Sequence, residues 1–222
     1  MIDGAMFPDR RAAGRCLAQA LLHLRGRNPL VLALPRGGVP VAFEVATALG
    51  AELDLLFVRK LGAPGHEEFG IGAVVDGAEP QLVVNEAAMR QLGVDPAYLR
   101  AELTRQLTEI ERRRRAYVGE RPPKPLTGRT VIVVDDGIAT GGTVTAALMG
   151  IRKNLPAYLV LAVPVAPPDA IAALRAQCDE LVCLEAPDPF YAVGAHYADF
   201  TQTGDAEVID LLARANAIGQ AA

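Results

Sequence analysis

Four consecutive β-branched residues, Val131 to Val134, run without interruption into two acids, Asp135 and Asp136. Such a short apolar run predicts a strand buried on both faces, which places it inside a parallel sheet. Behind the acids stand Gly137, Ile138, Ala139, Thr140, Gly141, Gly142 and Thr143, followed by a helix-forming stretch from Val144 to Lys153. Strand, acidic pair, glycine/threonine loop and helix together build an anion site. The loop turns amides and hydroxyls toward one point, and the helix N-terminus adds partial positive charge. No lysine stands in this loop, as a Walker A loop requires, and Gly-x-Gly-x-x-Gly is absent from it. Phosphate oxygens suit the loop, and carboxylates suit sugar hydroxyls or a metal ion. The implied ligand is a sugar phosphate.

A second unit of the same kind lies upstream. Leu30 to Leu34 predicts a buried strand, Pro35-Arg36-Gly37-Gly38-Val39-Pro40 a tight turn, and Val41 to about Leu49 a helix closed by Gly50. Arg36 offers a planar, bidentate phosphate donor, and Gly37 and Gly38 let backbone come close to a ligand. Asp54 to Val58 reads as a third strand with Arg59 and Lys60 at its C-terminal end. Ligands of open α/β sheets sit beyond the strand C-termini, and two cations there suit a diphosphate. Leu61 to Gly72 is rich in glycine and reads as a mobile lid, with His66, Glu67 and Glu68 reaching ligand or metal on closure.

The remaining stretches fill in an alternating β/α order. Asp9 caps a helix running to about Leu24, with Leu17, Leu21 and Leu24 as its apolar stripe. Ala73–Val75 and Gln81–Val84 form a hairpin about Asp76-Gly77, and Asn85 caps a short helix from Glu86 to Leu92. A long helix from about Pro96 to Tyr117 carries Leu99, Leu103, Leu107, Ile110 and Tyr117 on one face. Its run Arg112 to Arg115 reads as a solvated face held by the i,i+4 pairs Glu109–Arg113 and Glu111–Arg115. Then come a strand at Tyr158–Val163, a helix at Asp169–Gln177 and a strand at Glu180–Leu184, and this order favours a parallel sheet. Prolines and aromatics cluster after Ala186, where Phe190, Tyr191, Tyr197 and Phe200 are candidates to stack on a planar base. Gly204-Asp205 starts a final helix to about Ala217.

The 222 residues suit one α/β domain with additions over the whole chain, and two small domains would also fit the length. A net charge of −4 gives no general attraction to nucleic acid, which is not expected as a partner. No apolar run approaches a membrane span, and the start lacks a signal-peptide pattern. Cys16, Cys178 and Cys183 are odd in number and lack metal-type spacing, which suits reduced thiols in the cytoplasm.

Val131 to Thr143 resembles the signature of the type I phosphoribosyltransferases, which use 5-phosphoribosyl 1-diphosphate (PRPP) with magnesium. The resemblance implies an α/β fold, a parallel sheet flanked by helices in a single domain over 1–222, with a helical insertion at about 86–120 and a hood at about 186–204. Asp135 and Asp136 would hold the ribose hydroxyls, and Gly137 to Thr143 the 5-phosphate. Arg36, Gly37 and Gly38 resemble the pyrophosphate loop, where the family often carries a cis peptide, expected here at Arg36–Gly37. Arg59 and Lys60, with the acid pair, are then the catalytic candidates, and Asp135 and Asp136 would meet Mg2+ mostly through substrate and water. Phe190, Tyr191 and Tyr197 would line the acceptor site. Pro-Arg-Gly-Gly-Val-Pro, Val-Arg-Lys-Leu-Gly-Ala-Pro-Gly, Phe-Gly-Ile-Gly-Ala-Val and Asp-Asp-Gly-Ile-Ala-Thr-Gly-Gly-Thr resemble a bacterial group of predicted phosphoribosyltransferases that comes without a known acceptor. Enzymes for 6-oxopurines carry an acid where this chain has Ala139, so the resemblance speaks against hypoxanthine and guanine. The expected reaction moves phosphoribosyl from PRPP to a nitrogenous, nucleobase-like acceptor. Two rivals stand beside it: a non-catalytic regulator sensing PRPP or nucleotides on the same fold, and a hydrolase using Asp135 as nucleophile. The inserted helix offers part of a cover or the interface of a homodimer.

Overall fold

The computed structural model describes residues 6–219. Five strands form a parallel sheet in the order β2–β1–β6–β7–β8. They are β1 (Pro29–Ala33), β2 (Glu52–Leu55), β6 (Thr130–Val134), β7 (Tyr158–Val165) and β8 (Glu180–Glu185). All of β1 and β6 is buried, as the unbroken β-branched run requires. Strand alternation then divides the run between two cores. Ile132 and Val134 join Val31 and Ala33 under α1 (Arg10–Ala20), α2 (Gly38–Leu49) and α7 (Asp205–Gly219). Val131 and Val133 join Leu30 and Leu32 under α5 (Gly142–Lys153) and α6 (Pro168–Arg175). Each such side chain, fully buried, contributes roughly 1.5–3 kcal/mol, so one polar substitution in β6 would damage both layers.

Asp9 caps α1 as its sequence position predicts, accepting from the Ala12 amide. The expected helix to Leu24 is divided, because α1 stops at Ala20 and a 3-10 turn covers Leu22–Leu24.

A second, antiparallel sheet of β3 (Val58–Ala63), β4 (His66–Val75) and β5 (Gln81–Val84) stands beside the first. The expected third strand therefore ends at Leu55, and the glycine-rich stretch read as a lid loop is strand for most of its length. The glycines have another cause. The β3–β4 register shifts on either side of Gly62, and a Cβ on Gly72 would stand 2.5 Å from the Val83 carbonyl oxygen. Bulges and close backbone approach use the residue that loops also favour. The side chains of Glu67 and Glu68, expected to reach ligand or metal, lie outside the described residues.

Behind this sheet come α3 (Glu86–Gln91), capped by Asn85, and α4 (Pro96–Val118), capped by Asp95. Ile110 and Val118 of α4 are buried, with Leu99, Leu103, Leu107 and Tyr117 packed against the same core. The reading of Arg112–Arg115 as one solvated face needs correction. Arg115 does pair with Glu111 at 2.8 Å, and Arg113 with Glu109 at 2.7 Å. Arg114 instead turns inward and is 7% exposed. It donates to both carboxylate oxygens of Asp54 at 2.7 Å and to Asp76 at 3.0 Å. Four consecutive helical residues span more than a full turn, so one of them had to face the core.

Candidate active site at the strand ends

Asp135 and Asp136 leave β6 at the C-terminal edge of the sheet, and the Pro35–Gly38 turn leaves β1 beside them. The two turns interlock. A Cβ on Gly38 would lie 2.8 Å from the Val134 carbonyl oxygen, and one on Gly37 only 2.0 Å from an Asp136 carboxylate oxygen. These glycines are required by the protein's own acid pair before any ligand arrives. The cis peptide falls at Pro35–Arg36, one bond before its expected place. Gly37 has helical dihedrals (φ −59°, ψ −35°) and is the N-cap of α2.

The two acids differ in surroundings. Asp136 accepts from Arg10 Nε at 2.7 Å. Arg10 also donates to the Thr201 carbonyl at 2.7 Å, and its guanidinium lies 3.8 Å over the Phe200 ring. Tyr197 donates its hydroxyl to the Asp136 carbonyl at 2.5 Å. Asp135 accepts only the Asp136 amide among the described contacts, at 2.9 Å. Loss of water, and then the Asp136 charge, push the Asp135 carboxyl well above the ordinary carboxylate range. Loss of water also raises Asp136, against the opposing pull of Arg10. The Tyr197 hydroxyl is raised too, by burial and then by the Asp136 charge. A carboxyl pair this poorly solvated is suited to hydroxyl groups or to cation-bearing ligands that replace the missing water.

The loop after the acids is anchored at Ile138, which is buried and donates its amide to the Val165 carbonyl at 2.9 Å. Gly137 is pressed on Val193, which a Cβ there would approach to 2.5 Å. Gly141, at φ +76°, turns the chain into α5 without any side-chain cap. Ala139, Thr140, Gly142 and Thr143 are exposed around that turn. The first amides of α5 have no intrahelical acceptor, so this end of the helix presents donors and positive partial charge outward.

A cleft of about 560 Å³ opens between this edge and α4. Arg36, Arg59, Arg112, Arg113, Tyr117, Asp135, Thr143 and Asp205 are among its lining residues. Arg36 donates to Asp205 at 3.2 Å, and Tyr117 donates to the same carboxylate at 2.7 Å. Arg59 reaches Gln106 of α4 at 2.9 Å. The expected Arg59–Lys60 pair is separated. Both lie within β3, where neighbours point to opposite faces. Arg59 lines the cleft, whereas exposed Lys60 lines a second hollow of about 680 Å³ with Val83, Thr145 and Met149.

The C-terminal aromatics are also divided. Tyr191 is 84% exposed, and Phe190 stacks on His196 with ring centroids 5.3 Å apart. Tyr197 is 4% exposed and packs on Phe7 and Phe200, so its ring is committed to the protein interior. Arg10, Arg112, Arg113, Tyr117 and Asp205 were not singled out as site residues from the sequence. Arg10 meets Asp136 across 126 positions, a separation with no local signature.

Residues 9–199 match the family described as phosphoribosyl transferase domain. Two curated proteins of Mycobacterium tuberculosis, provisionally named phosphoribosyl transferases, are each 47% identical over 211 residues. The alignment covers 95% of this chain and 47% of each relative, so the chain spans about half their length. A crystal structure of a Thermus thermophilus protein superposes with a TM-score of 0.82 at 47% identity, covering 94% of this chain and 98% of that one. A protein of Neisseria gonorrhoeae, solved with bound ppGpp, shares the fold at a TM-score of 0.50 and 13% identity, covering 98% of this chain and 95% of that one.

Proposed function

The chain belongs to the phosphoribosyl transferase domain family, and on that premise we propose that it transfers the 5-phosphoribosyl group of PRPP to a nitrogenous, nucleobase-like acceptor, releasing pyrophosphate. The observation that carries this reading is a juxtaposition. One cleft is lined by a ribose-type acid, Asp135, by Thr143 at the open start of α5, and by the guanidinium groups of Arg36 and Arg59. Sugar hydroxyls, 5-phosphate and diphosphate would each find a complementary group in that one cleft.

In this reaction an acceptor nitrogen attacks the anomeric carbon. The carbon–oxygen bond to diphosphate breaks, its electron pair leaves with the diphosphate, and the acceptor nitrogen releases its proton. The protein positions the reactants and steadies charge. Asp135 and Asp136 orient the ribose hydroxyls, and Arg10 keeps the Asp136 carboxylate ionised and aimed. The exposed loop around Thr140 and Thr143 holds the 5-phosphate. Arg36 and Arg59 face the departing diphosphate, with Lys60 reaching it only from another side of β3. Phe190 and Tyr191 remain the acceptor-facing candidates of the C-terminal segment.

Magnesium fits this donor set in one way. Among the described residues no group of three or more His, Cys, Asp or Glu could enclose a metal ion. Two adjacent carboxylates suit a magnesium ion that keeps its waters and takes substrate oxygens. When bound it would neutralise diphosphate charge. Three free cysteines suit a cytoplasmic protein, and among the described residues no helix is long and apolar enough to cross a membrane. A homodimer is the proposed assembly, and sedimentation would measure it.

The deciding experiment measures pyrophosphate release from PRPP and Mg2+ with pooled purines, pyrimidines and pyridine carboxylates against a no-acceptor control. Acceptor-dependent release is expected. PRPP binding without release under any acceptor would turn the reading toward a sensor.

A further inference from the structure

Two arginines of the α4 run, Arg112 and Arg113, are absorbed neither by the core nor by the expected phosphoribosyl chemistry. Arg114 holds the helix down, and Arg115 pairs away from the cleft with Glu111. Arg112 and Arg113 line the same cleft as Arg36 and Arg59. We propose that Arg112 and Arg113 of α4, with Arg59 of β3, form a diphosphate-binding wall that completes the cleft.

The charge balance supports this. Arg112 and Arg113 share a single carboxylate, Glu109, at 2.8 and 2.7 Å. Arg36 shares Asp205 with the Tyr117 hydroxyl. Arg59 is met by the neutral amide of Gln106, whose own nitrogen is turned to Glu102, a carboxylate that also takes both arms of Arg105. The cleft thus gathers four guanidinium groups, of which Arg112 and Arg113 have one carboxylate between them and Arg36 divides another with Tyr117. Like charges brought together this way are stabilised by a multivalent anion, and guanidinium forks match phosphate oxygens in pairs.

The geometry also supplies a reason for the helix. Strand alternation sends Lys60 away from Arg59, so β3 can present only one cation to this cleft. The further cations come from α4, whose position is set by Arg114 bound to Asp54 and Asp76 and by the Tyr98 hydroxyl on the Gly62 carbonyl at 3.0 Å. A wall on a long, anchored helix is pre-formed, which reduces the ordering cost of binding. The inference rests on the phosphoribosyl reading only for the source of the ligand. The shared chemistry is a diphosphate group, whether on a donor or free as product.

The test uses calorimetric titration of the full chain with two probes, inorganic pyrophosphate and ribose 5-phosphate. Arg112→Ala/Arg113→Ala is expected to weaken pyrophosphate binding by about tenfold or more while ribose 5-phosphate, read by the loop at α5, changes by less than about twofold. Arg115→Ala removes a charge from the same helix and is expected to change neither. Both exchanges are at exposed positions, and a melting curve checks that each variant folds. Unchanged pyrophosphate affinity in the double variant, or an equal loss in Arg115→Ala, overturns the wall. Wild-type protein that binds ribose 5-phosphate but not pyrophosphate also overturns it, leaving the phosphoribosyl reading in place. Pyrophosphate binding lost in the double variant, with no ribose 5-phosphate binding at all, upholds the wall and sinks the phosphoribosyl reading instead.

Discussion

Two covers flank the acid pair, and they are built on opposite principles. The C-terminal segment from Pro187 to Thr201 is aromatic, and it closes on the acid pair around Tyr197 while Tyr191 stays exposed. Tyr197 is buried between Phe7 and Phe200, its hydroxyl ends on the Asp136 backbone, and Arg10 links Phe200 and Thr201 to the Asp136 carboxylate. The α4 side is cationic and open. Its arginines stand across a cleft and share too few carboxylates. The closed cover therefore fixes Asp136, and the open one leaves its guanidinium groups short of carboxylate partners. A residue's polarity does not decide which role it takes, since Arg10 belongs to the closed cover and Arg112 to the open one.

Four substitutions would break or sharpen this contrast. The largest effect is expected at Arg114→Met. It leaves Asp54 and Asp76 buried without their cation, which typically costs about 3–5 kcal/mol. Chemical denaturation should show the loss, and an unchanged midpoint would mean that α4 is held by its apolar face alone. Burial already raises the Asp76 carboxyl against the pull of Arg114. Removing that pull raises it further, so the loss should grow as pH rises and ionisation is forced.

Tyr197→Phe comes next. It strands the Asp136 carbonyl inside the closed cover, at a typical cost of about 1–3 kcal/mol. Differential scanning calorimetry would register it, and a neutral result would show the aromatic segment to be a loose flap.

Asp136→Asn is expected to lower turnover by about tenfold or more, equivalent to ~1.4 kcal/mol, with the fold intact. Equal turnover in the two proteins would remove this carboxylate from the mechanism.

The smallest effect has the opposite sign. Asp135→Asn should raise the melting temperature while weakening ligand binding. The folded protein holds the Asp135 proton more tightly than the unfolded chain does, because its carboxyl is raised well above the ordinary value. Ionisation therefore costs stability as pH climbs from about 4, the unfolded value, toward the folded one. Asparagine keeps the Asp136 amide's acceptor and removes that cost. Its advantage should be near zero at about pH 4 and widen upward, with each kcal/mol appearing as about 2–4 °C. A gain that shrinks with rising pH would reverse the assignment.

Much of this was legible in the chain itself. The run Val131–Val134 determined a strand buried on both faces, and the following Asp-Asp-Gly stretch determined an acid pair at the mouth of a helix. Asp9, Asn85 and the Pro35–Pro40 turn were equally readable, because periodicity, capping and turn chemistry act between neighbours. The glycines of Gly62 to Gly72 misled, because a strand bulge and a flexible loop ask for the same residue. The expected donor and metal came only from the resemblance to a family, since no spacing in this chain points to them.

Tertiary structure alone decided the rest. It split Arg59 from Lys60 by starting a new strand at Val58, sent Arg114 into the core while leaving Arg112 and Arg113 on the cleft, and brought Arg10 to Asp136. The physical reason is common to all three. The side a residue faces, and the partner it meets there, depend on how distant elements pack, and partners separated by 60 or 126 positions leave no mark on each other's local sequence.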